Sequence, residues 1–394
     1  MAPPLFLDLG AVPSCHCDNI LDDLFKAITE APAGAADPGI WAPHHDPWQV
    51  SHVEQVTARL RTALDAIRDT IARALRGEPV VELRKAEVPW LRWAPEQFEA
   101  TRARLEAKPT VAYTLDDWGT LVDYLIQLYL PEGVIRSEAQ YLSVRAQLLG
   151  KVSAAMGDQV LPDATIGLIA TLIPTDAPSI PLGALTAIER GILDVSQARA
   201  AQFISDLTES TRARMKRLVI RHVEAQVLGT RGGTPGYLER ALFDEFAILN
   251  RDCRRIAVTE VGECYLQGFV AAQRPGTRLR RQEAYKGACD WCRSINGKVF
   301  TVVEPTATRK DGATEVWLGK TNAGRSASPR RREGGLLVER VPAERWWCAA
   351  GLQHPHCRGT WTIDPGQPPP GVKPEFAQWM AGLLAQGRPE PPPP

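Results

Sequence analysis

Apolar residues recur at alternating intervals of three and four positions along the first strongly patterned stretch of the chain. The residues in this stripe are Val53, Val56, Leu60, Leu64, Ile67, Ile71 and Leu75. Such spacing places them on one face of a helix with a coiled-coil-like period. Ser51 and Glu54 form a capping-box pattern and Gly77 follows the last apolar position, so we predict a helix between Ser51 and Gly77. This helix packs against neighbouring helices or, alternatively, binds a partner protein.

Similar patterns predict further helices at 96–107, 115–130 and 136–157. Ser196 is the predicted cap of a long helix that ends at Leu228. Thr234 and Pro235 begin the next helix, because threonine caps helices and proline at the first helical position gives up no hydrogen bond. Most of the chain is therefore expected to be helical.

Composition excludes several classes of protein. The 394 residues carry 46 basic and 46 acidic side chains, so no global field attracts the chain to nucleic acid or anionic lipid. The longest apolar run, 166–173, is far shorter than the roughly 20 residues that cross a bilayer, and no secretory signal opens the sequence. We expect no membrane contact and a reducing cytoplasm, in which the eight cysteines are thiols or metal ligands.

Two pairs of metal-binding residue types stand near the C-terminus. Cys289 and Cys292 form a C-x-x-C pair, and His354 and Cys357 have the same spacing. Zinc takes four thiolate or imidazole ligands in a tetrahedron, and each close pair can supply two of them from one tight turn. We predict a structural zinc site formed by Cys289, Cys292, His354 and Cys357. Reduced thiols in a small core and a disulfide remain alternatives.

Two further residues compete as ligands of the same site. They are His356 and Cys348, and we rank both behind His354 and Cys357. Between the two pairs, Asn296-Gly297 predicts a tight turn into a short strand, because this dipeptide tolerates positive φ and Val299 and Phe300 favour a strand. The first cysteine pair is thus expected at the mouth of a hairpin.

An acidic residue interrupts the apolar stripe of the helix that begins at Pro235. Glu260 falls on this stripe, where a carboxylate must find a cation or backbone donors. The candidate partners are Arg254, Arg255 and Arg358. A structural role is predicted, because the chain has no H-E-x-x-H pattern that would make the glutamate a general base. His222, on the preceding helix, is interpreted as a hydrogen-bonded interior histidine.

The segment 306–345 is the most basic part of the chain. Eight basic and four acidic residues lie between Thr306 and Arg340. Such a segment can contact DNA phosphates. A solvated flexible loop is equally consistent with it.

The residues of this region follow a recognisable order. Cys289-x-x-Cys292 precedes Gly297 and Phe300, and His354-Pro355-x-Cys357-Arg358 follows; upstream stands Arg255-Ile256-Ala257-Val258-Thr259-Glu260. This order resembles the phage head morphogenesis family, the minor capsid proteins related to protein F of phage Mu. The resemblance covers residues 185–363. Gly359 stands where the family usually has a second cysteine.

The resemblance implies a minor structural protein of a tailed phage or prophage head that acts in capsid assembly near the portal. The implied partners are the portal protein, the major capsid or scaffold proteins and packaged phage DNA. The implied location is the host cytoplasm during assembly and then the virion, in the capsid interior or at the portal vertex. Glu260 would be a clamp between its helix and the zinc module.

We therefore predict a mainly α fold, with multi-helical N-terminal and central regions and a small α+β, zinc-ribbon-like C-terminal module. The predicted organisation is an irregular arm at 1–46, a helical domain at 47–160, a Pro-rich linker at 161–184, a head-morphogenesis domain at 185–365 that contains the polar insert 306–345, and a Pro-rich tail at 366–394.

Two other functions were weighed against this one. A metal-dependent nuclease of the H-N-H type also uses cysteine pairs to hold a hairpin, but it needs a general-base histidine and a separate magnesium site. The C-terminal third offers only His354 and His356 for these tasks. A DNA-binding accessory protein would rest on the basic insert alone. We expect no enzyme activity, no catalytic residues and no small-molecule substrate.

Overall fold

The computed structural model describes residues 47–78, 93–156, 169, 171–180, 184–364, 376, 378–380 and 382. The predicted N-terminal arm and nearly all of the Pro-rich tail lie outside the described residues, and the predicted domain boundaries stay predictions.

The fold is mainly helical, as predicted, with a small sheet region near the C-terminus. The long helices are α1 (Pro47–Leu75), α2 (Pro95–Glu106), α3 (Leu115–Tyr129), α4 (Glu132–Met156), α5 (Ala187–Val227) and α6 (Pro235–Ala272). A short helix, α7 (Asp290–Ile295), follows them. None of these helices is both long enough and apolar enough to cross a membrane.

Helix α1 buries the predicted apolar stripe but begins before the predicted start. It starts at Pro47, and Trp48 extends its buried face. Proline suits the first helical position because it lacks an N–H that would need a partner. Ser51 therefore lies inside the helix, where its hydroxyl accepts a hydrogen bond from the Gln55 side chain at 3.3 Å. The predicted start of this helix at Ser51 is wrong.

Helix α5 also begins earlier than predicted. Thr186 is its cap, and the Thr186 and Glu189 side chains exchange hydrogen bonds with each other's backbone N–H in a capping box. Ser196, the predicted cap, is a buried residue inside the helix. The prediction failed because a threonine and a glutamate three residues apart form a stronger start signal ten residues upstream.

The central helices approach each other closely enough to exclude side chains at two positions. A Cβ atom at Gly150 of α4 would clash with the carbonyl of Tyr265 on α6. A Cβ atom at Gly268 of α6 would likewise clash with the carbonyl of Gln147 on α4. Backbone contact of this kind lets α4 and α6 pack along their length, and α1 and α5 share the same hydrophobic core.

The C-terminal module is built on a four-stranded sheet with the order β3-β2-β1-β6. Its strands are β1 (Arg278–Gln282), β2 (Val299–Val302), β3 (Glu315–Val316) and β6 (Thr360–Ile363). Strand β1 pairs antiparallel with both β2 and β6, and β2 pairs parallel with β3. Helix α7 lies in the connection between the antiparallel strands β1 and β2. The first cysteine pair therefore lies within the connection of this strand pair, at residues 283–298, and not at the mouth of a tight hairpin.

The polar insert divides into two structural parts. Its first part enters the core of the module, because Val316 pairs with Val302 and Lys320 is buried. Its second part is a separate antiparallel hairpin of β4 (Arg330–Glu333) and β5 (Leu336–Glu339). This second part is exposed along both strands, apart from the partly buried Arg331.

Candidate metal centre

The first cysteine pair lies at the start of helix α7. Cys289 is the N-cap residue and Cys292 lies in the first turn. Residues three apart on a helix share a face, so the two thiols point to the same side. Asn296 and Gly297 end the helix, and Gly297 has a φ of 78° that leads the chain into β2. The predicted tight turn at Asn296-Gly297 is confirmed.

The second pair lies in a turn just before strand β6. The backbone N–H of Cys357 donates to the carbonyl of His354 at 3.1 Å, which closes the turn. His356 adopts a φ of 66° at the turn, a left-handed conformation that is unfavourable for a residue with a side chain. Its conformation is fixed from helix α6, because the His356 N–H donates to the Thr259 hydroxyl at 3.2 Å.

The two turns meet in space, although 65 residues separate Cys289 from His354. His354 Nε2 lies 3.3 Å from Cys289 Sγ and 3.3 Å from Cys292 Sγ. Cys292 Sγ lies 3.9 Å from Cys357 Sγ. Two ligands of one tetrahedral zinc ion lie about 3.5 to 3.8 Å apart, given the usual zinc–sulfur and zinc–nitrogen distances. Cys289, Cys292 and His354 can therefore hold a metal ion.

Cys357, the fourth predicted ligand, belongs to a second group of possible ligands and not to the first. Its Sγ atom lies 3.5 Å and 3.7 Å from the two carboxylate oxygens of Glu283. Glu283, Cys292 and Cys357 each offer a donor atom within 4.8 Å of the other two. Tyr285 Oη also lies 3.7 Å from Cys357 Sγ. Cys292 is thus shared by two groups of donors.

A fully buried ion pair supports this second group. Arg281 Nε donates to Glu283 Oε1 at 2.7 Å, and neither side chain is exposed to solvent. Arg281 Nη2 lies 3.7 Å from Cys357 Sγ, and its guanidinium stacks over the Trp361 ring at 5.1 Å. Buried charges must be paired, and here the Arg281 guanidinium and the Glu283 carboxylate pair with each other. Burial raises the pKa of Glu283 to about 7.

Gly359 makes room for this glutamate. A Cβ atom at position 359 would clash with the Glu283 carboxylate. The residue that departs from the head morphogenesis pattern is therefore the one whose missing side chain leaves space for Glu283.

The charges of the first group favour a thiolate at Cys289, whereas the hydrogen bonds with Cys289 and Cys357 raise the pKa of Cys292. The hydrogen bond with Cys292, together with that from His354, lowers the pKa of Cys289 to about 4. Burial opposes the charged form of His354, but the Cys289 hydrogen bond and the nearby Cys357 outweigh it and raise the pKa of His354 to about 9. A metal ion binds thiolate and neutral imidazole, so binding here would release the imidazole proton.

One tryptophan stacks on the imidazole, and a second packs against the first. The rings of Trp346 and His354 are stacked, with centroids 5.7 Å apart and an angle of 12° between the planes. Trp291 packs edge-on against Trp346 at 6.1 Å. Indole rings on this side reduce the access of water to the donor atoms.

The two competing ligands face other partners. His356 Nε2 accepts a hydrogen bond from Arg255 Nε at 3.0 Å, which occupies that nitrogen. Burial and the neighbouring arginine lower the pKa of His356 to about 3. Cys348 Sγ accepts from the Gln353 side chain at 3.9 Å and belongs to neither group of donors found among the described residues. The full ligand set stays a prediction.

A polar stripe on helix α6 holds the second turn, and sequence reasoning did not identify it as a unit. Its members are spaced four residues apart: Arg255, Thr259, Glu263 and Gln267. Arg255 and Thr259 bind His356, and Glu263 Oε2 accepts from the Leu352 N–H at 2.6 Å. Gln267 donates to Glu263 and accepts from the Gly319 N–H. The four-residue interval is the sequence signal that would have revealed this face.

Glu260 has a different partner from those predicted. Arg199 on α5 donates from Nε to both carboxylate oxygens, at 2.9 Å and 3.2 Å. Arg254 instead pairs with Glu54, and Arg255 binds His356. Burial raises the pKa of Glu260 to about 7, although Arg199 acts in the opposite direction. Glu260 therefore links α6 to α5, while Glu263 makes the contact with the C-terminal module.

Other candidates lie apart from the site. His222 is a buried residue whose Nδ1 lies 3.1 Å from the Gly232 carbonyl oxygen, as the interior interpretation predicts. Cys253 and Cys264 are buried free thiols in helix α6.

No family model, curated protein or solved structure matches the chain. The resemblance to phage head morphogenesis proteins rests on the motif residues themselves.

Proposed function

We propose that the chain is a minor structural protein of a tailed phage or prophage head. In this proposal one zinc ion, bound by Cys289, Cys292, His354 and Cys357, stabilises a zinc-ribbon-like C-terminal module. The observation that supports it best is the meeting of the two turns: His354 Nε2 lies 3.3 Å from the sulfurs of both Cys289 and Cys292, and Cys357 Sγ lies 3.9 Å from Cys292 Sγ. This is the arrangement that the resemblance implies.

A structural role for the ion fits the donor set better than a catalytic one. Catalytic zinc sites keep one coordination position for water, whereas four protein ligands fill the tetrahedron. Such an ion contributes folding free energy. The stacked Trp346 ring beside His354 also favours a closed site.

The proposed place of action is capsid assembly near the portal. The portal protein and the major capsid or scaffold proteins are the proposed partners, and the hairpin of β4 and β5 is the proposed contact with packaged DNA. The chain would be found in the host cytoplasm during assembly and in the virion afterwards.

Deletion of the coding sequence from a phage or prophage that encodes it tests the proposal. We expect mass spectrometry to find the chain in purified heads, and electron microscopy to show fewer DNA-filled heads after the deletion. Complementation with the wild-type chain should restore them, whereas Cys292→Ser should not, and Cys253→Ala is the matched control. Heads that lack the chain, or form normally without it, would contradict the proposal.

A further inference from the structure

Five donor residues form two overlapping sets that share Cys292, whereas one zinc ion needs only four ligands. Cys289, Cys292 and His354 form one set, and Glu283, Cys292 and Cys357 form the other. Cys357 lies between Cys292 at 3.9 Å and the Glu283 carboxylate at 3.5 Å. Cys357 and Glu283 both lie beside Cys292, the residue that the two sets share, and are therefore the two side chains that could supply a fourth ligand.

Glu283 is oriented as ligating carboxylates usually are. One oxygen, Oε1, accepts from Arg281 Nε at 2.7 Å, and the other, Oε2, faces the Cys357 thiol. Carboxylates that bind metals are commonly held by a second hydrogen bond of this type, which leaves one oxygen for the ion. The Glu283 N–H also donates to the Asn296 side chain at 2.7 Å, which connects the residue to the end of helix α7.

Burial gives Glu283 no route to solvent. Its side chain is 0% exposed, and the absence of a side chain at Gly359 provides the space that it fills. A buried carboxylate needs a cation, and Arg281 supplies it, with Nε bound to Glu283 and Nη2 3.7 Å from Cys357 Sγ.

We propose that Glu283 is an alternative metal ligand that takes the fourth position when Cys357 is not coordinated. The inference rests on the proposed zinc site. Loss of Cys357 then weakens metal binding but does not release the ion, because Glu283 Oε2 replaces the sulfur.

The test compares zinc binding by the full-length wild-type chain, Cys357→Ala, and Cys357→Ala combined with Glu283→Gln. Glutamine keeps the size of the side chain and an oxygen for Arg281, but it is a much weaker ligand than a carboxylate. Zinc affinity is measured by competition with a chelator, and the coordinating atoms are counted by X-ray absorption. Circular dichroism confirms that each variant keeps its helices.

We expect three sulfur ligands in the wild type and two sulfurs plus an additional oxygen in Cys357→Ala, with affinity about 10- to 100-fold lower. The double variant should lose at least a further tenfold. If Cys357→Ala binds no zinc, or binds it with the same affinity as the double variant, the proposal is wrong.

Two more results separate the possible failures. Failure of the wild type to bind zinc would refute the proposed site itself. Cys357→Ala combined with Gly359→Ala displaces the Glu283 carboxylate sterically while keeping its charge. It should behave like the double variant, and it decides the question if that variant does not fold; binding equal to that of Cys357→Ala would then overturn the proposal.

Discussion

The carboxylate of Glu263 accepts a hydrogen bond from the backbone N–H of Leu352 at 2.6 Å. The first residue lies on helix α6 and the second in the segment that leads to the second turn. Because both groups are buried, this contact fixes the position of the turn relative to the helical core. The candidate metal ligands of the second turn are thus held by a helix that contributes no candidate ligand to the groups found among the described residues.

Replacing Glu263 by alanine should loosen this attachment. The variant leaves the Leu352 N–H without its charged acceptor, at a cost of about 1.5 to 3 kcal/mol in the free energy of unfolding. Urea unfolding followed by circular dichroism measures the loss. Glu209→Ala is a suitable control, because Glu209 is exposed and pairs with Arg212 on the surface of α5. Equal stabilities of the two variants would show that the Glu263 contact is unimportant.

Removal of zinc should destabilise the C-terminal module. We expect purified wild-type protein to contain one zinc ion per chain and a chelator to lower its thermal unfolding midpoint, because ligand binding to the native state stabilises it. Cys292→Ser should lack the ion and show no response to the chelator. Cys253→Ala, which removes a buried thiol of helix α6 that belongs to neither donor group, should retain both the metal and the response to the chelator. A chelator effect that survives Cys292→Ser would exclude this site as its origin.

The helices show which features of the fold a sequence pattern can predict. The stripe from Val53 to Leu75 predicted the buried face of α1, since burial follows the helical period. The ends were harder, because a capping-box pattern is local and does not show whether a helix has already begun. Ser51 has such a pattern inside a helix, while Thr186 has it at a true start.

In the candidate site, too, sequence patterns predicted the local contacts but not the contacts between distant residues. Spacing of three residues revealed each close pair, because the members of a pair lie in one turn. Glu283 and Glu263 were missed because their partners, Cys357 and Leu352, lie 74 and 89 residues further along the chain. Contacts over such distances depend on how helix α6 and strand β1 pack, which no local pattern records.

Acid should weaken the helical core through His52. Burial, with the charge of Arg145 acting in the same direction, lowers the pKa of this histidine to about 3. The unfolded chain binds the proton more tightly, so stability is complete above pH 6.5 and falls as the pH decreases from 6.5 towards 3. For one group with these folded and unfolded pKa values, the free energy of unfolding falls by about 2 kcal/mol between pH 7 and pH 5. Urea unfolding at both pH values should show that the stability of His52→Gln falls by about 2 kcal/mol less than that of the wild type. Equal losses of stability would exclude His52 as the cause of the acid effect.

Removing one partner of the Arg199–Glu260 pair should lower the free energy of unfolding more than removing both partners. Arg199→Met leaves a buried carboxylate without its cation, for which we expect a loss of about 3 kcal/mol. Arg199→Met combined with Glu260→Met removes both charges and should recover most of that stability. Chemical denaturation of Arg199→Met, Glu260→Met and the double variant measures the interaction free energy between the two side chains. Additive losses would show that the two side chains do not interact energetically.

DNA contact by the β4–β5 hairpin should depend on which arginine is removed. Arg331 is held by Glu333 and Glu344, whereas Arg332 is exposed on the opposite face of the strand. Each phosphate contact contributes about 0.9 to the slope of log affinity against log salt concentration. Arg332→Gln should therefore reduce the slope by about 0.9, and Arg331→Gln should leave it nearly unchanged. These point substitutions avoid deleting residues 306–345, which would remove the buried Val316 and Lys320 from the module. Fluorescence anisotropy with duplex DNA gives the slopes; identical slopes for both variants and the wild type would place any DNA contact elsewhere.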